Sequence, residues 1–154
     1  NINLNLSSWQ NIIGYVPQSI FLIDDTIKEN IILSDNSNTI DDQRLKNATQ
    51  KSELNPFIDN LDKKLETMVG ERGSRISGGQ LQRIGIARAL YKKSKLLIFD
   101  EATNALDKKT EESILQTIFD LKTDYTSIIV SHDKDCLKKC DRVIGLNKGE
   151  INYE

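Results

Sequence analysis

Four consecutive apolar residues followed by two carboxylates, LLIFDE, occupy positions 96–101 of the chain. A short run that is apolar throughout predicts a strand in the buried centre of a parallel sheet. Such a strand would end at Asp100 and Glu101, where the sheet meets solvent. Because a carboxylate buried without a partner is costly, we expect a cation or a polar substrate beside them. The alternative is a strand followed by an Asp-Glu pair that caps a helix.

Strands and helices alternate on both sides of this segment. The helical spacing of apolar residues predicts one-sided helices over 81–91 and 110–121. Two more strands are predicted by the apolar runs 12–17, which stops at a proline, and 126–130. A strand, a tight turn and the start of a hairpin partner are predicted over 142–151. This alternation indicates an α/β fold with parallel strands, whose ligands bind at the carboxyl ends of those strands.

A polar stretch from about Thr26 to Asp62 carries apolar residues at helical spacing. We interpret it as a small helical subdomain, with breaks at 35–38 and 55–56. Its two apolar stripes consist of Ile27, Ile31 and Ile32, and of Leu45, Ala48 and Thr49.

The composition fits one soluble globular domain. The 154 residues are 38% hydrophobic, and 21 Lys+Arg against 23 Asp+Glu leave a formal net charge of −2. This balance argues against a nucleic-acid partner, which would require a basic surplus. The apolar runs are far shorter than the ~20 residues of a membrane-spanning helix. Two cysteines are too few for a disulfide framework, so a reducing, intracellular setting is expected.

A second candidate site is ISGGQ at positions 76–80, directly before the helix predicted over 81–91. Ser77 and the two glycines would expose backbone N–H groups at a helix N-terminus, where the dipole favours a phosphate. The alternative is a serine N-cap with a glycine turn. Because two glycines weaken a helix start, their presence favours the phosphate interpretation.

His132, the only histidine, follows the strand predicted over 126–130 and shares its sheet edge with Asp100 and Glu101. It could hydrogen-bond a terminal phosphate. Asp100 suits Mg²⁺, which prefers oxygen ligands and keeps part of its hydration shell. Glu101 would then orient and deprotonate an attacking water. Gln18 follows the first strand, where a glutamine alone carries no signal.

Together these motifs resemble the nucleotide-binding domains of ATP-binding cassette (ABC) transporters, in family order and over nearly the whole chain. His132 corresponds to the switch histidine, and NALD at 104–107 resembles the D-loop. Two further segments, VGERG at 69–73 and FLIDDTIKEN at 21–30, resemble exporters in particular. YVPQ at 15–18 corresponds to the Q-loop, and ISGGQ at 76–80 corresponds to the signature motif, with Ile where Leu is usual. LLIFDE at 96–101 corresponds to Walker B with its catalytic glutamate.

The resemblance implies an α/β P-loop NTPase-like ABC ATPase core with a parallel sheet and a helical subdomain. It also has one large departure, because the sequence contains neither a G-x-x-x-x-G-K-[ST] phosphate loop nor an assignable adenine-stacking aromatic. We therefore interpret the chain, which opens at Asn1 without Met, as an N-terminally truncated piece that alone binds nucleotide poorly and hydrolyses essentially none. Its parts would be a partial core with the Q-loop at 1–18, the helical subdomain at 19–75, and the remaining core at 76–154.

The resemblance further implies two such domains joined head to tail around two ATP molecules. In the tip formed by Ser77, Gly78, Gly79 and Gln80, all four residues would be ATP-binding, and Ser77, Gly78 and Gly79 would contact the γ-phosphate held by the partner domain. In the domain's own site, Gln18 and Asp100 would belong to the Mg²⁺ shell, Glu101 would activate water and His132 would hold the γ-phosphate. Asp107 would link the two sites. Gln18 and the helical subdomain would pass the motion to a transmembrane domain, fused N-terminally, at the cytoplasmic face of the cell membrane.

Three alternatives remain open at this point. The chain could belong to a soluble ABC ATPase without a membrane partner, or be a non-catalytic remnant. The spacing of His132, Cys136 and Cys140 would place them on one face of a continuous helix, which could suggest zinc. Structural zinc prefers four ligands, however, and no fourth is apparent in the sequence.

Overall fold

The computed structural model describes residues 6–33, 39–70, 73–74, 76–104 and 106–153. Its centre is a parallel sheet of three strands in the order β1-β2-β3, and an antiparallel hairpin of β4 and β5 lies towards the C-terminus. The strands are β1 (Ile13–Val16), β2 (Leu96–Asp100), β3 (Thr126–Val130), β4 (Ile144–Asn147) and β5 (Glu150–Tyr153). This confirms the predicted parallel sheet and hairpin.

Seven α-helices occur among the described residues, and none of these combines the length and apolar character needed to cross a membrane. Short 3-10 helices lie at Lys64–Glu66 and Leu121–Thr123. The α-helices are α1 (Leu6–Ile12), α2 (Ile27–Ile32), α3 (Asp42–Lys51), α4 (Asn55–Ile58), α5 (Gly78–Tyr91), α6 (Lys108–Asp120) and α7 (Lys134–Leu137).

Several predicted boundaries were wrong by a few residues, and the break predicted at 55–56 is instead the start of α4. Ile12, which was expected in the first strand, ends α1 instead. The helix predicted from Leu81 begins at Gly78, because Ser77 caps it. The predicted break at 35–38 lies outside the described residues, as do Glu71 and Arg72 of the VGERG motif.

Helix α5 lies at the centre of the molecule and is buried on most of its surface. It contacts α2 and α3 on one side, and β1 and α6 on the others. A helix surrounded in this way needs apolar or small residues around most of its circumference, and the segment IGIARAL supplies them. The core thus joins the helices of the 19–75 region to the sheet through α5.

The two faces of the parallel sheet differ in burial. Side chains alternate along a strand, and Val16, Leu97 and Phe99 point into the core and are fully buried. The opposite face carries Tyr15, Ile98, Asp100, Ile128 and Val130, which the strand register brings side by side. The carboxyl ends of the strands and this open face meet at Asp100.

Candidate functional site

The end of β2 turns sharply at Glu101. The Glu101 N–H donates to the carbonyl of Val130 at 3.0 Å, so pairing with β3 continues one residue beyond the strand. Its φ of +47° lies in the left-handed region, which few residues other than glycine adopt. The Asn104 N–H closes the turn on the Glu101 carbonyl at 3.0 Å. Backbone strain of this kind is found where surrounding structure must hold a side chain in one direction.

The Glu101 carboxylate meets His132, as the shared sheet edge predicts. His132 Nε2 lies 2.7 Å from Glu101 Oε1, and Asn104 Nδ2 donates to the other carboxylate oxygen at 3.1 Å. The histidine side chain is 90% exposed, whereas that of Glu101 is only 24% exposed. The imidazole therefore has room to leave Glu101, while the glutamate stays at the sheet edge. Asn104 was not assigned this contact from sequence, because the contact depends on the turn at Glu101.

Asp100 has a partner that the sequence did not reveal. The Tyr15 hydroxyl donates to Asp100 Oδ2 at 2.7 Å, and this hydrogen bond raises the pKa of Tyr15 above its ordinary value. Tyr15 stands opposite Ile98 in the strand register, so it projects from the same sheet face as Asp100. Strand alternation could have placed the two on one face, but only the register brings them into contact.

The side chains at this edge could bind Mg²⁺ only if a substrate supplied further oxygen ligands. Among residues 6–33, 39–70, 73–74, 76–104 and 106–153, no group of three or more His, Cys, Asp or Glu side chains is placed to hold a metal ion. Asp100 offers one carboxylate, of which one oxygen already accepts from Tyr15. Mg²⁺ is commonly held by one or two carboxylates together with substrate phosphates and water, so a single carboxylate is compatible with it.

Gln18 lies in the loop just after β1, at the carboxyl end of the sheet. Its side chain is exposed, and its carbonyl accepts from Nε2 of Gln82 at 2.8 Å. Gln82 is buried in α5, so the loop's backbone is held by the central helix while the Gln18 side chain reaches solvent.

Ser77 caps α5 in a reciprocal arrangement. Its hydroxyl accepts from the Gln80 N–H at 3.4 Å, and the Gln80 side-chain oxygen accepts from the Ser77 N–H at 2.9 Å. This capping box is one way to satisfy the unpaired donors of a helix start. Both Ser77 and Gly78 are exposed, so the tip of α5 is accessible from solvent.

Close packing explains why glycines occupy the tip. This corrects the argument that two glycines, which weaken a helix start, indicate phosphate binding. A Cβ on Gly79 would stand 2.5 Å from Cγ2 of Thr110, and one on Gly78 would stand 3.1 Å from Cδ2 of Leu106. The start of α6 therefore lies too close to the tip for a larger residue at Gly79. The glycines alone do not favour a phosphate over a simple helix cap.

Asp107 begins α6 as its N-cap. Its carboxylate accepts from the Thr110 hydroxyl at 2.6 Å and from the Thr110 N–H at 3.1 Å, and these bonds lower the pKa of Asp107. The NALD segment thus holds Glu101 at one end, through Asn104, and starts α6 at the other. Ala105 between them lies outside the described residues.

The three residues behind the zinc alternative do not share a helix. Helix α7 spans only Lys134–Leu137, so His132 precedes it and Cys140 follows it. Cys136 is buried, whereas the His132 side chain is almost fully exposed.

Comparison with known proteins decides the family. The family model described as ABC transporter matches residues 2–104. The chain belongs to the ABC transporter family. The solved structure of a bacterial Atm1-family ABC exporter with ATP bound has a TM-score of 0.81 and 34% identity to this ABC chain, over 96% of it and 26% of the exporter chain. The predicted family and the predicted ABC ATPase fold are therefore confirmed.

Curated relatives of this ABC chain are transporters. It is 40% identical over 153 residues to the mitochondrial iron-sulfur clusters transporter ATM1 of Kluyveromyces lactis, covering 98% of this chain and 21% of that protein. It is 38% identical over 149 residues to the ATP-dependent lipid A-core flippase of Bordetella avium, covering 97% and 25% respectively. The chain thus spans about a quarter or less of the length of the proteins it matches.

Proposed function

We propose that this chain is part of the ATP-hydrolysing motor domain of an ABC exporter. The observation that carries the proposal is the meeting of Asp100, Glu101 and His132 at the carboxyl edge of one parallel sheet, with Glu101 and His132 2.7 Å apart. Ligands of open α/β sheets bind at this edge. The substrate is ATP, and the product of the cycle is conformational work on a membrane partner.

At the reacting phosphate each side chain has one task. Glu101, held at its turn by Asn104, orients the attacking water and accepts its proton. His132 exchanges its contact with Glu101 for one with the γ-phosphate, which its exposure allows. Asp100 and Gln18 would hold Mg²⁺, which supplies positive charge to the phosphate oxygens when it is bound.

The tip of α5 serves the site of a second copy. Ser77 and Gly78 are exposed at the N-terminus of a helix of 14 residues, where backbone donors and the helix dipole favour an anion. The tip, completed by Gly79 and Gln80, contacts the γ-phosphate of ATP bound to the partner domain. Asp107, at the start of α6 beside the tip, links the two sites across the head-to-tail dimer.

The membrane partner is a transmembrane domain at the cytoplasmic face of the membrane, fused to this domain in the natural protein. Support comes from the relatives, which are named as a transporter and a flippase and of which the matched region covers only 21% and 25%. The Gln18 loop is the proposed element of transmission, because its backbone is hydrogen-bonded to α5 and its side chain is exposed just after the carboxyl end of β1. No nucleic-acid partner is proposed, since the chain has no basic surplus.

The decisive experiment replaces Glu101 by Gln in the protein at its full natural length. The amide keeps the size of the side chain and removes the proton acceptor, so we expect ATP-driven dimerisation to persist and steady-state ATP hydrolysis to fall at least about 100-fold. Glu112→Gln, on the exposed side of α6, is the matched control and should hydrolyse ATP at the normal rate. Unchanged hydrolysis in Glu101→Gln would refute the role given to Glu101.

A further inference from the structure

Arg83, in the second turn of α5, joins three elements of the fold. Its side chain is only 14% exposed. Nη1 donates to the Ser52 carbonyl at 2.9 Å and to the Thr117 hydroxyl at 3.0 Å, and Nη2 donates to the Ser113 hydroxyl at 2.8 Å. Nη1 also lies 3.1 Å from Oε2 of Glu53. One guanidinium therefore contacts the segment that follows α3 and two successive turns of α6.

The chemistry of this contact requires arginine. A guanidinium presents five donors in a rigid planar fork, so it can serve several oxygens in fixed directions. A lysine at Arg83 would carry the charge on a single mobile ammonium and could not keep the contacts to both elements. Because a charge held mostly away from water must be paired, the three neutral oxygens and Glu53 keep this side chain in place.

The contact lies one turn from the tip of α5. On the α6 side, the tip packs through Gly78 and Gly79 against Leu106 and Thr110. On the other side an open cleft of about 740 Å³ separates α5 from the segment 50–57, with Gln80 and Arg83 along one wall. The bonds from Arg83 to Ser52 and Glu53 cross from α5 to that segment.

We propose that Arg83 is a positioning residue that sets the direction of the α5 tip by locking α5 to the end of α3 and to α6. The proposal rests on the proposed function, in which Ser77 and the glycines of the tip bind the γ-phosphate held by a second copy. Arg83 touches no substrate, and it acts only through the place that it gives to the tip.

The test uses Arg83→Met and Arg83→Lys in the protein at its full natural length. A tip displaced by about an ångström binds its phosphate poorly, so we expect kcat/KM for ATP to fall about 10- to 100-fold in Arg83→Met, with a rise in KM. Arg83→Lys should recover only part of this loss. If Arg83→Met does not fold, Ser113→Ala removes one partner and should give a smaller fall in the same direction.

A double-mutant cycle separates positioning from general stabilisation. If Arg83 acts through the tip, the effects of Arg83→Met and Ser77→Ala should be non-additive, and Arg83→Met should cost less in the presence of Ser77→Ala than alone. Arg88→Met is the matched control, because Arg88 is also a partly buried arginine of α5 but donates to the carbonyls of Asn30 and Phe21. Its effect should add to that of Ser77→Ala. Additive effects of Arg83→Met and Ser77→Ala would overturn the proposal.

Amide hydrogen exchange decides the question independently of ATP hydrolysis. Without nucleotide, Arg83→Met should speed exchange of the Gln80 and Leu81 amides about tenfold and leave the last turns of α5 unchanged. Unchanged exchange at Gln80 and Leu81 would overturn the positioning role even if the protein proved inactive. A wild-type protein that hydrolyses no ATP would instead refute the proposed function.

Discussion

Gly79 occupies the first turn of α5, where α6 leaves no room for a side chain. A Cβ there would stand 2.5 Å from Cγ2 of Thr110, so we expect Gly79→Ala to destabilise the protein by about 1–3 kcal/mol. Thr110→Ser deletes the obstructing methyl and keeps the hydroxyl that bonds Asp107. Adding it to Gly79→Ala should restore most of the loss in urea unfolding. Wild-type stability in Gly79→Ala alone would contradict the close packing.

At the scale of single residues, the sequence predicted where the site residues lie in the fold better than it predicted which side chains they contact. Asp100, Glu101 and His132 could be predicted at one edge because each ends or follows an apolar strand. The hydroxyl of Tyr15 on Asp100 depends on strand register, and the fork of Arg83 depends on the angle between α5 and α6. The local spacing of apolar residues predicts neither the strand register nor the angle between these helices.

At the scale of elements, strong apolar patterns predicted β2, β3 and α6 to within about two residues. Capping decided the start of α5. Ser77 and Gln80 start α5 earlier than its apolar stripe indicates, because their reciprocal bonds satisfy donors that the stripe does not reveal. The roles of the segments 19–75 and 76–154 as separate units stay a prediction.

Asp107 stabilises α6 by capping its first turn. We expect Asp107→Ala to lower the free energy of unfolding measurably, because the Thr110 N–H and hydroxyl lose their acceptor. Asp107→Asn, whose amide oxygen can still cap, is the control and should lose much less. Equal losses in the two variants, measured by urea unfolding near neutral pH, would count against the cap.

The same carboxylate predicts a dependence on pH. Its hydrogen bonds to Thr110 lower the pKa of Asp107 in the folded state, so its stabilising effect is fully present above the unfolded pKa of about 4 and is lost as pH falls through the lowered folded value. The stability difference between wild type and Asp107→Asn should therefore shift in favour of Asn on acidification over that interval. A difference that stayed constant with pH would contradict the lowered pKa.

On the scale of the whole molecule, the described residues cover the parallel sheet on one face only. Helices α5 and α6 bury Val16, Leu97 and Phe99, whereas on the other face Tyr15, Ile128 and Val130 remain between 45% and 53% exposed. Parallel sheets are ordinarily covered on both faces, since their strands are apolar throughout. In the 154-residue chain this face therefore exposes apolar side chains to solvent.

Neighbouring residues of β3 allow a matched test of this asymmetry in the 154-residue chain. Ile128 lies on the open face of the sheet, whereas Ile129 lies on the opposite face and packs against the core. Ile128→Thr keeps a β-branched residue in the strand, so it should leave stability within about 0.5 kcal/mol of wild type and reduce both binding of a hydrophobic dye and self-association. Ile129→Thr should cost about 1–2 kcal/mol, because it takes a hydroxyl to the core side. If both variants lost similar stability and dye binding did not change, the open face would have to be covered in solution.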